Sequence, residues 1–242
     1  DIDYVFHFIS TTTPATVEND PTIDIETNIR MSVELFKLCV EMGIKRVFFA
    51  STGGAIYGED KGMIPHKETD NTLPISPYAI GKLTIENYLR YFGVKHGLES
   101  TTFRISNPYG ERQPFHRKQG VIPIFLENII LGKPITVLGD GSMVRDYVYV
   151  KDVTGMVSEV FDRDNIQPLY NIGSGKGTSL NEIISIAEEI TQKRIEREVN
   201  EVPSTYLKYV MLDTSRFTDD FGTFPSVGLE DGMRRTYKYI QD

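Results

Sequence analysis

The sequence has few of the residues that build covalent or metal-bound scaffolds. Cys39 is the single cysteine among 242 residues, which excludes an internal disulfide and any cluster of thiolate ligands. The four histidines lack the spacing of metal ligands, so we predict no metal site; they are His7, His66, His96 and His116. So few cysteines also fit a reducing compartment, and we predict a cytoplasmic protein.

Long apolar stretches are missing as well. No run approaches the ~20 apolar residues that a transmembrane helix needs, and no basic-then-apolar signal peptide opens the chain. Acidic residues outnumber basic ones by 34 to 26, which gives a net charge of −8. We therefore predict that the protein binds neither membranes nor nucleic acid, because an acidic chain is repelled by a phosphate backbone.

Short apolar runs alternate with helical patterns through the first half of the chain. The predicted strands are Tyr4–Ile9, Arg46–Ala50 and Ser100–Ile105, and the predicted helices cover about 20–42 and Pro77–Val94. This alternation predicts a parallel sheet with helices on both faces. Ligands bind beyond the carboxyl ends of such strands, so the loops that follow these three strands are the expected site.

The second half is more broken and is typical of a smaller lobe packed over that end of the sheet. A Gly139-Asp140-Gly141 turn separates two short predicted strands. The predicted elements are Gly120–Leu131, Ile135–Leu138, Tyr147–Val150, Asp152–Phe161, Leu169–Ile172 and Leu180–Gln192.

Tyr78 and Lys82 form the first pattern that indicates chemistry. Residues four apart share one face of a helix, so the Lys82 ammonium is expected beside the Tyr78 ring, where it would lower the phenol pKa. A tyrosine of lowered pKa can take a proton from an alcohol near neutral pH. The same spacing also arises by chance on many amphipathic helices, so the pair needs a hydroxyl partner and a cofactor site nearby.

Such a hydroxyl partner stands upstream, directly after a predicted buried strand. The segment Ser51-Thr-Gly-Gly-Ala-Ile-Tyr-Gly58 places two hydroxyls at the strand's carboxyl end, followed by glycines that permit close approach of a ring or sugar. An ordinary Gly-rich turn capped by Ser and Thr is the alternative explanation.

Together these motifs resemble the extended short-chain dehydrogenase/reductase superfamily, and within it the NAD-dependent sugar-nucleotide epimerases of the UDP-glucose 4-epimerase type. The resemblance covers essentially the whole chain, in order and at similar spacing. Its further motifs are Ser76-Pro77-Tyr78, Arg104, Asn107-Pro-Tyr-Gly110, Gly120-Val-Ile-Pro-Ile-Phe125, Gly139-Asp-Gly141, Arg145-Asp-Tyr-Val-Tyr-Val150, Tyr170-Asn-Ile-Gly173, Asp213-Thr-Ser-Arg216 and a final helix from Leu229.

The resemblance implies an α/β fold, a Rossmann-type doubly wound parallel sheet with a smaller α/β substrate lobe. The dinucleotide-binding part would comprise residues 1–106 and 145–172, and the substrate lobe 107–144 and 173–242. The implied activity is C4 epimerisation of a UDP-hexose through a 4-keto intermediate, with NAD as the cofactor.

The resemblance also implies a role for individual residues. Tyr78 would be the base for the sugar 4-hydroxyl, Lys82 would hold the nicotinamide ribose, and Thr52 would be the catalytic hydroxyl. The implied NAD contacts add Phe8, Ile9, Asn28 and Ser51 to Tyr78 and Lys82, and the implied diphosphate contacts are Asn107, Val121, Ile122 and Arg145. For Arg145, a purely structural ion pair with Asp146 or another acid is the alternative.

The sequence departs from the family pattern in three places. The N-terminal strand and the Gly-rich pyrophosphate loop of the family have no counterpart here, and Gly173-Ser-Gly-Lys-Gly177 is not a P-loop because Gly177 follows the lysine. We therefore expect an upstream segment in the natural protein, and weak NAD binding by these 242 residues alone.

The second departure concerns the catalytic hydroxyl. The usual Ser or Thr position falls on Gly53, so Thr52, the nearest hydroxyl, takes the role. In the third departure, a phosphate-binding arginine of many epimerases would fall near Pro203, which leaves Arg145 alone or with Lys118 or Lys208. The basic cluster Arg112, His116, Arg117 and Lys118 is either a solvated loop or a further phosphate contact.

Several alternatives stay open at this point. Sugar 4,6-dehydratases carry Asp-Glu where this chain has Gly54 and Ala55, so dehydration is excluded. An NAD(P)H-dependent 4-keto sugar-nucleotide reductase would use the same Tyr and Lys, and a truncated non-catalytic fragment is the third possibility. By analogy with the family we expect a homodimer, formed through the helices around Ile25–Val40 and Pro77–Val94.

Overall fold

The computed structural model describes residues 2–18, 20–58, 61–113, 120–161, 163–203, 206–224 and 226–242. Its main sheet has four parallel strands in the order β1-β2-β3-β7. These strands are β1 (Tyr4–His7), β2 (Arg46–Thr52), β3 (Glu99–Ile105) and β7 (Leu169–Ile172). This sheet confirms the predicted α/β Rossmann-type fold, with β1 at one edge.

Helices cover both faces of the main sheet. On one face, α3 (Arg30–Glu41) and α4 (Pro77–His96) bury Phe36 and Leu89 against Phe49 of β2. On the other face, α6 (Val150–Val160) and α8 (Ser215–Phe221) pack on the alternate side chains of β2 and β3. Alternation along each strand therefore supplies both layers, as expected for strands buried on two sides.

The helix predicted over about 20–42 is present, but it is not a regular α-helix throughout. It begins as α2 (Thr22–Asp24) and continues through a π-helical turn, Ile25–Ile29, directly into α3, and a short helix, α1 (Pro14–Val17), precedes it. The wider turn lets Asn28 Nδ2 donate to Asp24 Oδ1 at 2.7 Å while both side chains reach Thr12. Single π-turns of this kind inside α-helices are frequent at functional sites.

A second group of elements forms the smaller lobe. Its core is built by α5, α7 and α9, and the helices are joined by short sheets. In one sheet β6 lies between β4 and β10 and pairs antiparallel with β8, and in the other β5 pairs with β9. The bounds are β4 (Asn107–Tyr109), α5 (Val121–Ile130), β5 (Ile135–Leu138), β6 (Val144–Tyr149), β8 (Gly177–Ser179), α7 (Leu180–Thr191), β9 (Arg197–Asn200), β10 (Tyr209–Val210) and α9 (Leu229–Gln241).

Strand β6 pairs with strands of the small lobe, whereas the next two elements, α6 and β7, pack on the main sheet and join it, respectively. The chain therefore crosses between the two layers close to Tyr149, and the predicted domain division remains a prediction. Among the described residues, no helix is both long and apolar enough to cross a membrane.

Candidate active site

A cavity of about 1020 Å³ lies beyond the carboxyl ends of β2 and β3, between the main sheet and the small lobe. It is lined from several elements, as expected where parallel strands end at one edge. Among the residues predicted from the sequence, Phe8, Ser51, Thr52, Tyr78, Lys82 and Asn107 line it. The structure therefore brings together residues that are up to 99 positions apart in the chain.

The first turns of α4 hold Tyr78 and Lys82 at the cavity wall. The helix begins after Ser76, whose Oγ accepts from the Ala79 N–H, and Pro77 occupies the first helical position. Lys82 Nζ donates to the Ala50 carbonyl oxygen at 2.8 Å and lies 5.9 Å from the centre of the Tyr78 ring. Lys82 thus ties the catalytic face of α4 to the end of β2.

The titration of this pair differs from the prediction. Burial, together with the charge of Asp24, raises the pKa of Tyr78 to about 12. Burial lowers the pKa of Lys82 to about 8, against the opposing charges of Asp24 and Glu86. The predicted lowering of the Tyr78 pKa is not seen in this structure, where burial raises it, and an effect of Lys82 itself stays a prediction.

Thr52 is the hydroxyl that the geometry favours at the end of β2. Thr52 is buried and lines the cavity, whereas a Cβ atom on Gly53 would overlap the Leu212 side chain and lie 2.9 Å from the Arg104 carbonyl oxygen. A side chain at position 53 would therefore point away from the cavity. Thr52 as the catalytic hydroxyl in place of Gly53 remains a prediction.

Ser51 is committed to a buried polar network. Its Oγ donates to Glu86 Oε1 at 2.5 Å, and Arg104 Nη2 donates to Glu86 Oε2 at 2.8 Å. Arg104 also lies over the Tyr57 ring, and Tyr57 Oη donates to Asn171 Oδ1 at 2.6 Å. This network holds the Ser51 side chain in place. The Ser51 hydroxyl is already used as a donor to Glu86, so its role in this structure is mainly structural.

Two of the predicted cofactor contacts lie outside the cavity lining. Ile9 is 77% exposed, at the end of the edge strand β1. Asn28 Oδ1 accepts from the Thr11 N–H at 3.1 Å, and its Nδ2 donates to Thr12 Oγ1 at 2.7 Å. In this structure Asn28 holds the loop after β1 in place, and its direct contact with NAD remains a prediction.

Only some of the predicted substrate contacts lie at the cavity. Asn107 lines the cavity, and its Nδ2 donates to the Asp146 carbonyl oxygen at 3.0 Å. Val121 and Ile122 form the first turn of α5, with the Ile122 side chain fully buried in the core of the small lobe. Only the backbone of that turn can serve a diphosphate, and Gly120, its N-cap, lines the cavity.

Arg145 is placed differently from its prediction. Its guanidinium donates to the carbonyl oxygens of Val144, Leu207 and Lys208, and the residue does not line the cavity. The alternative ion pair with Asp146 is not formed either. The buried Asp146 carboxylate instead accepts hydrogen bonds from the backbone of Ser174 and Gly175, so the Gly173–Gly177 loop binds a carboxylate of its own chain.

The small-lobe side of the cavity contains cations that the sequence left unassigned or ambiguous. Arg112, which has a positive φ of 66°, and Lys151 both line it. Lys151 Nζ lies 3.1 Å from Glu111 Oε1. The other members of the basic cluster, His116, Arg117 and Lys118, lie outside the described residues. Lys151 follows the Arg145–Val150 motif directly, and that position is the signal that could have identified it.

Comparison with known proteins agrees with this geometry. A model of the NAD dependent epimerase/dehydratase family matches residues 1–173. The chain belongs to this family. It is 37% identical to a UDP-glucose 4-epimerase of Thermotoga maritima solved with UDP-glucose, with a TM-score of 0.93 over 99% of this chain and 77% of that one.

Other relatives in the epimerase/dehydratase family point to more than one reaction. A Thermus thermophilus UDP-glucose 4-epimerase solved with NAD is 31% identical, with a TM-score of 0.93 over 99% of this chain and 78% of that one. A dTDP-4-dehydro-6-deoxyglucose reductase of Escherichia coli is 33% identical over 99% of this chain and 75% of its own length.

The cavity residues of this family member fit a nicotinamide nucleotide. Lys82 Nζ carries three donors and gives one to Ala50, which leaves N–H groups for sugar hydroxyls. Ser106 Oγ is buried in the cavity wall and has no hydrogen-bond partner among the described residues. Phe8 adds an apolar ring to the same wall. The cavity therefore offers an apolar surface for a flat heterocycle and polar groups for a ribose.

Proposed function

We propose that this protein catalyses NAD-dependent C4 epimerisation of a UDP-hexose. The observation that supports it most is the convergence of Tyr78, Lys82 and Thr52 on one cavity in a chain of the epimerase/dehydratase family. Gly54 and Ala55 also line this cavity, at the positions where dehydratases carry their acids. A redox-neutral reaction needs no such acid.

Tyr78 is the base in this mechanism. Its phenolate oxygen takes the proton of the sugar 4-hydroxyl as the C4–H bond breaks, and it returns that proton when the 4-keto group is reduced from its other face. NAD, when bound, accepts the hydride from C4 and gives it back. Because the Tyr78 pKa is about 12 without ligands, nearby cationic charge must stabilise the phenolate, and Lys82 supplies one such charge.

Lys82 and Thr52 hold the reacting groups in position. The second and third donors of Lys82 would bind the nicotinamide ribose, and the Thr52 hydroxyl would bind the sugar oxygen that Tyr78 deprotonates. The small residues Gly54 and Ala55 leave room for the hexose to turn between the two transfers. Proton transfer by a placed group of this kind contributes roughly 10²–10⁴ in rate.

The diphosphate is assigned to the small-lobe side of the cavity. Asn107 and the N-terminal backbone of α5 are the neutral donors, and Arg112 and Lys151 are the cations that line the cavity. Arg145 keeps its predicted role only by releasing its carbonyl acceptors when substrate binds. The 4-keto intermediate must turn over in the cavity. This requires that the nucleotide is held firmly at one end while the hexose stays free to move.

The test incubates the 242-residue chain, and a chain extended upstream wherever its coding sequence continues, with NAD and a panel of UDP-hexoses. Chromatography follows the sugars and absorbance at 340 nm follows NADH. We expect a C4 epimer with no net NADH, and loss of turnover in Tyr78→Phe. Tyr206→Phe, at an exposed tyrosine outside the cavity lining, is the matched control and should keep full activity.

A 4-keto sugar-nucleotide reductase is the second candidate, because the Escherichia coli relative carries that name at 33% identity. The same Tyr and Lys would then protonate the 4-keto oxygen while reduced cofactor is consumed. Turnover only of 4-keto sugars, with one NADH oxidised per sugar, would select the reductase. Absence of both reactions in every chain tested would contradict both candidates.

We further propose that the protein is a cytoplasmic homodimer. Apolar side chains recur at helical spacing on the outward faces of α3 and α4, which is the surface expected from the family. They are Met31, Leu38, Met42, Ile80, Tyr88, Tyr91 and Val94. Light scattering should give a dimer mass, and Leu38→Asp combined with Val94→Asp should give a monomer; a monomeric parent chain would contradict the proposal.

A further inference from the structure

Asp24, at the end of α2, is a buried carboxylate directly behind the catalytic face of α4. It is 4% exposed. Its Oδ1 accepts from Thr12 Oγ1 at 2.6 Å and from Asn28 Nδ2 at 2.7 Å. Both donors are neutral, so the hydrogen bonds fix the position of the carboxylate without cancelling its charge.

The second oxygen of Asp24 reaches the backbone of α4. A Cβ atom on Gly81 would overlap Asp24 Oδ2, so the carboxylate occupies the space that any other residue's side chain would fill. Gly81 immediately precedes Lys82 and lies three positions after Tyr78. The glycine therefore lets a charge approach the backbone of α4 close in sequence to both side chains.

We propose that Asp24 is a positioning residue for the Tyr78–Lys82 pair, a fixed negative charge that keeps buried Lys82 protonated and holds Tyr78 in its phenol form until ligands bind. This inference rests on the proposed function for its consequence in catalysis. The arrangement of Asp24, Gly81 and Lys82 itself is independent of which reaction the protein performs.

The other charged groups around the pair act in different ways. Glu86, one turn beyond Lys82 on α4, is held by Arg104 of β3 in a buried ion pair, so much of its charge is compensated. His7 of β1 is neutral near pH 7, because burial and the Lys82 charge lower its pKa to about 4. β2 contributes the Ala50 carbonyl and the hydroxyls of its last residues.

Asp24 therefore differs from Glu86, because the groups that donate hydrogen bonds to its carboxylate are neutral. It raises the pKa of Tyr78 and opposes the lowering of the Lys82 pKa by burial. Removing its charge should lower both pKa values together, since a negative charge favours the protonated form of each group. A shift of two titrations in one direction is a signature that a loss of packing would not produce.

The direct test is Asp24→Asn, in which Oδ1 can still accept from Thr12 and Asn28 while the charge is lost. The Lys82 titration is followed by NMR in protein labelled with 13C at the lysine Cε, with the resonance assigned by Lys82→Met. No cofactor is needed. We expect the Lys82 midpoint to fall from near pH 8 by about one pH unit.

Thr12→Val is the matched control, because it removes one hydrogen bond to Asp24 and leaves the charge in place. Its Lys82 midpoint should stay within a few tenths of a pH unit of the parent. An unchanged midpoint in Asp24→Asn, or an equal shift in Thr12→Val, would overturn the proposal. Should Asp24→Asn fail to fold, Asp24→Ser removes the charge with a smaller polar side chain and is held to the same criterion.

Catalysis provides a second readout that is kept separate from the first. If the protein is an epimerase, both limbs of the pH profile of kcat should move to lower pH in Asp24→Asn, because Tyr78 ionises and Lys82 loses its proton earlier. A lowered kcat with an unmoved profile would assign Asp24 a purely structural role. A shifted Lys82 titration without any epimerase activity would retain the positioning role and reject the proposed function.

Discussion

Glu86 and Arg104 form a two-pronged ion pair beneath the cavity, with Arg104 Nε and Nη2 lying 3.2 and 2.8 Å from the two carboxylate oxygens. Both side chains are almost completely buried. The pair connects α4, which presents Tyr78 and Lys82, with β3, whose end leads to Asn107. This ion pair thereby adds to the packing that holds α4 against the main sheet.

Glu86→Gln tests how much this ion pair contributes to the free energy of unfolding. The variant leaves the Arg104 charge buried without a counter-charge, and breaking a buried pair in this way costs about 3–5 kcal/mol. Urea unfolding should show that loss as a lower midpoint. The matched control is Glu230→Gln, which removes the partner of Arg234 in a half-exposed pair on α9 and should cost less than about 1 kcal/mol. Equal effects in the two variants would contradict the argument.

The elements that are long enough to show a clear hydrophobic period were predictable from the sequence. The elements that form only through tertiary contacts were not. The four strands of the main sheet and the long helix α4 follow from apolar runs and from Ser76-Pro77 at a helix start. Strands β4, β8 and β10 have two or three residues each, too few to show a period of two. They exist because β6 lies beside them.

The same distinction applies to the candidate site. Tyr78, Lys82 and Thr52 were found because spacing or strand position marks them. Asp24 was missed, because its effect depends on a contact with Gly81 across 57 positions that no local pattern encodes. For Arg145 the motif was recognised, but sequence could not show that the carbonyl groups of residues 207 and 208 already accept its donors.

Gly53 provides a test of which residue carries the hydroxyl. Gly53→Ala should destabilise the protein by about 1–3 kcal/mol, because the new methyl group overlaps Leu212 and the Arg104 backbone. Gly54→Ala is the control, since its Cβ would make only an ordinary 3.5 Å contact with Asn107. Thermal unfolding distinguishes the two. A neutral Gly53→Ala would mean that position 53 has room for a side chain after all.

Substitutions of Thr52 and of Ser51 should have different effects on kcat and on stability. Thr52→Val keeps the shape of the side chain and removes the hydroxyl from the cavity, so kcat should fall by roughly 10² or more. Ser51→Ala removes a donor to Glu86 and should mainly lower stability, by about 1–2 kcal/mol. The measurement pairs initial rates with urea unfolding for each variant. If Ser51→Ala loses kcat while Thr52→Val keeps it, the assignment is reversed.

His7 should make the free energy of unfolding depend on pH between about 4 and 6.5. Burial and Lys82 lower its pKa from 6.5 to about 4, so the folded protein binds fewer protons on His7 than the unfolded chain between those values. A group of depressed folded pKa stabilises the protein fully above its unfolded pKa, and that contribution is lost as the pH falls from 6.5 towards 4. The free energy of unfolding should therefore decline over this interval.

The variant that checks this is His7→Gln, which does not titrate and still offers a hydrogen-bonding group to Ser32, whose Oγ lies 2.7 Å from His7 Nε2. Its unfolding free energy should decline less steeply than that of the parent between pH 6.5 and 4, whatever its absolute value. His96→Gln, at the exposed end of α4, controls for loss of a histidine outside the core and should retain the parent slope. Parallel curves for His7→Gln and the parent would show that the buried imidazole is not the source of the dependence.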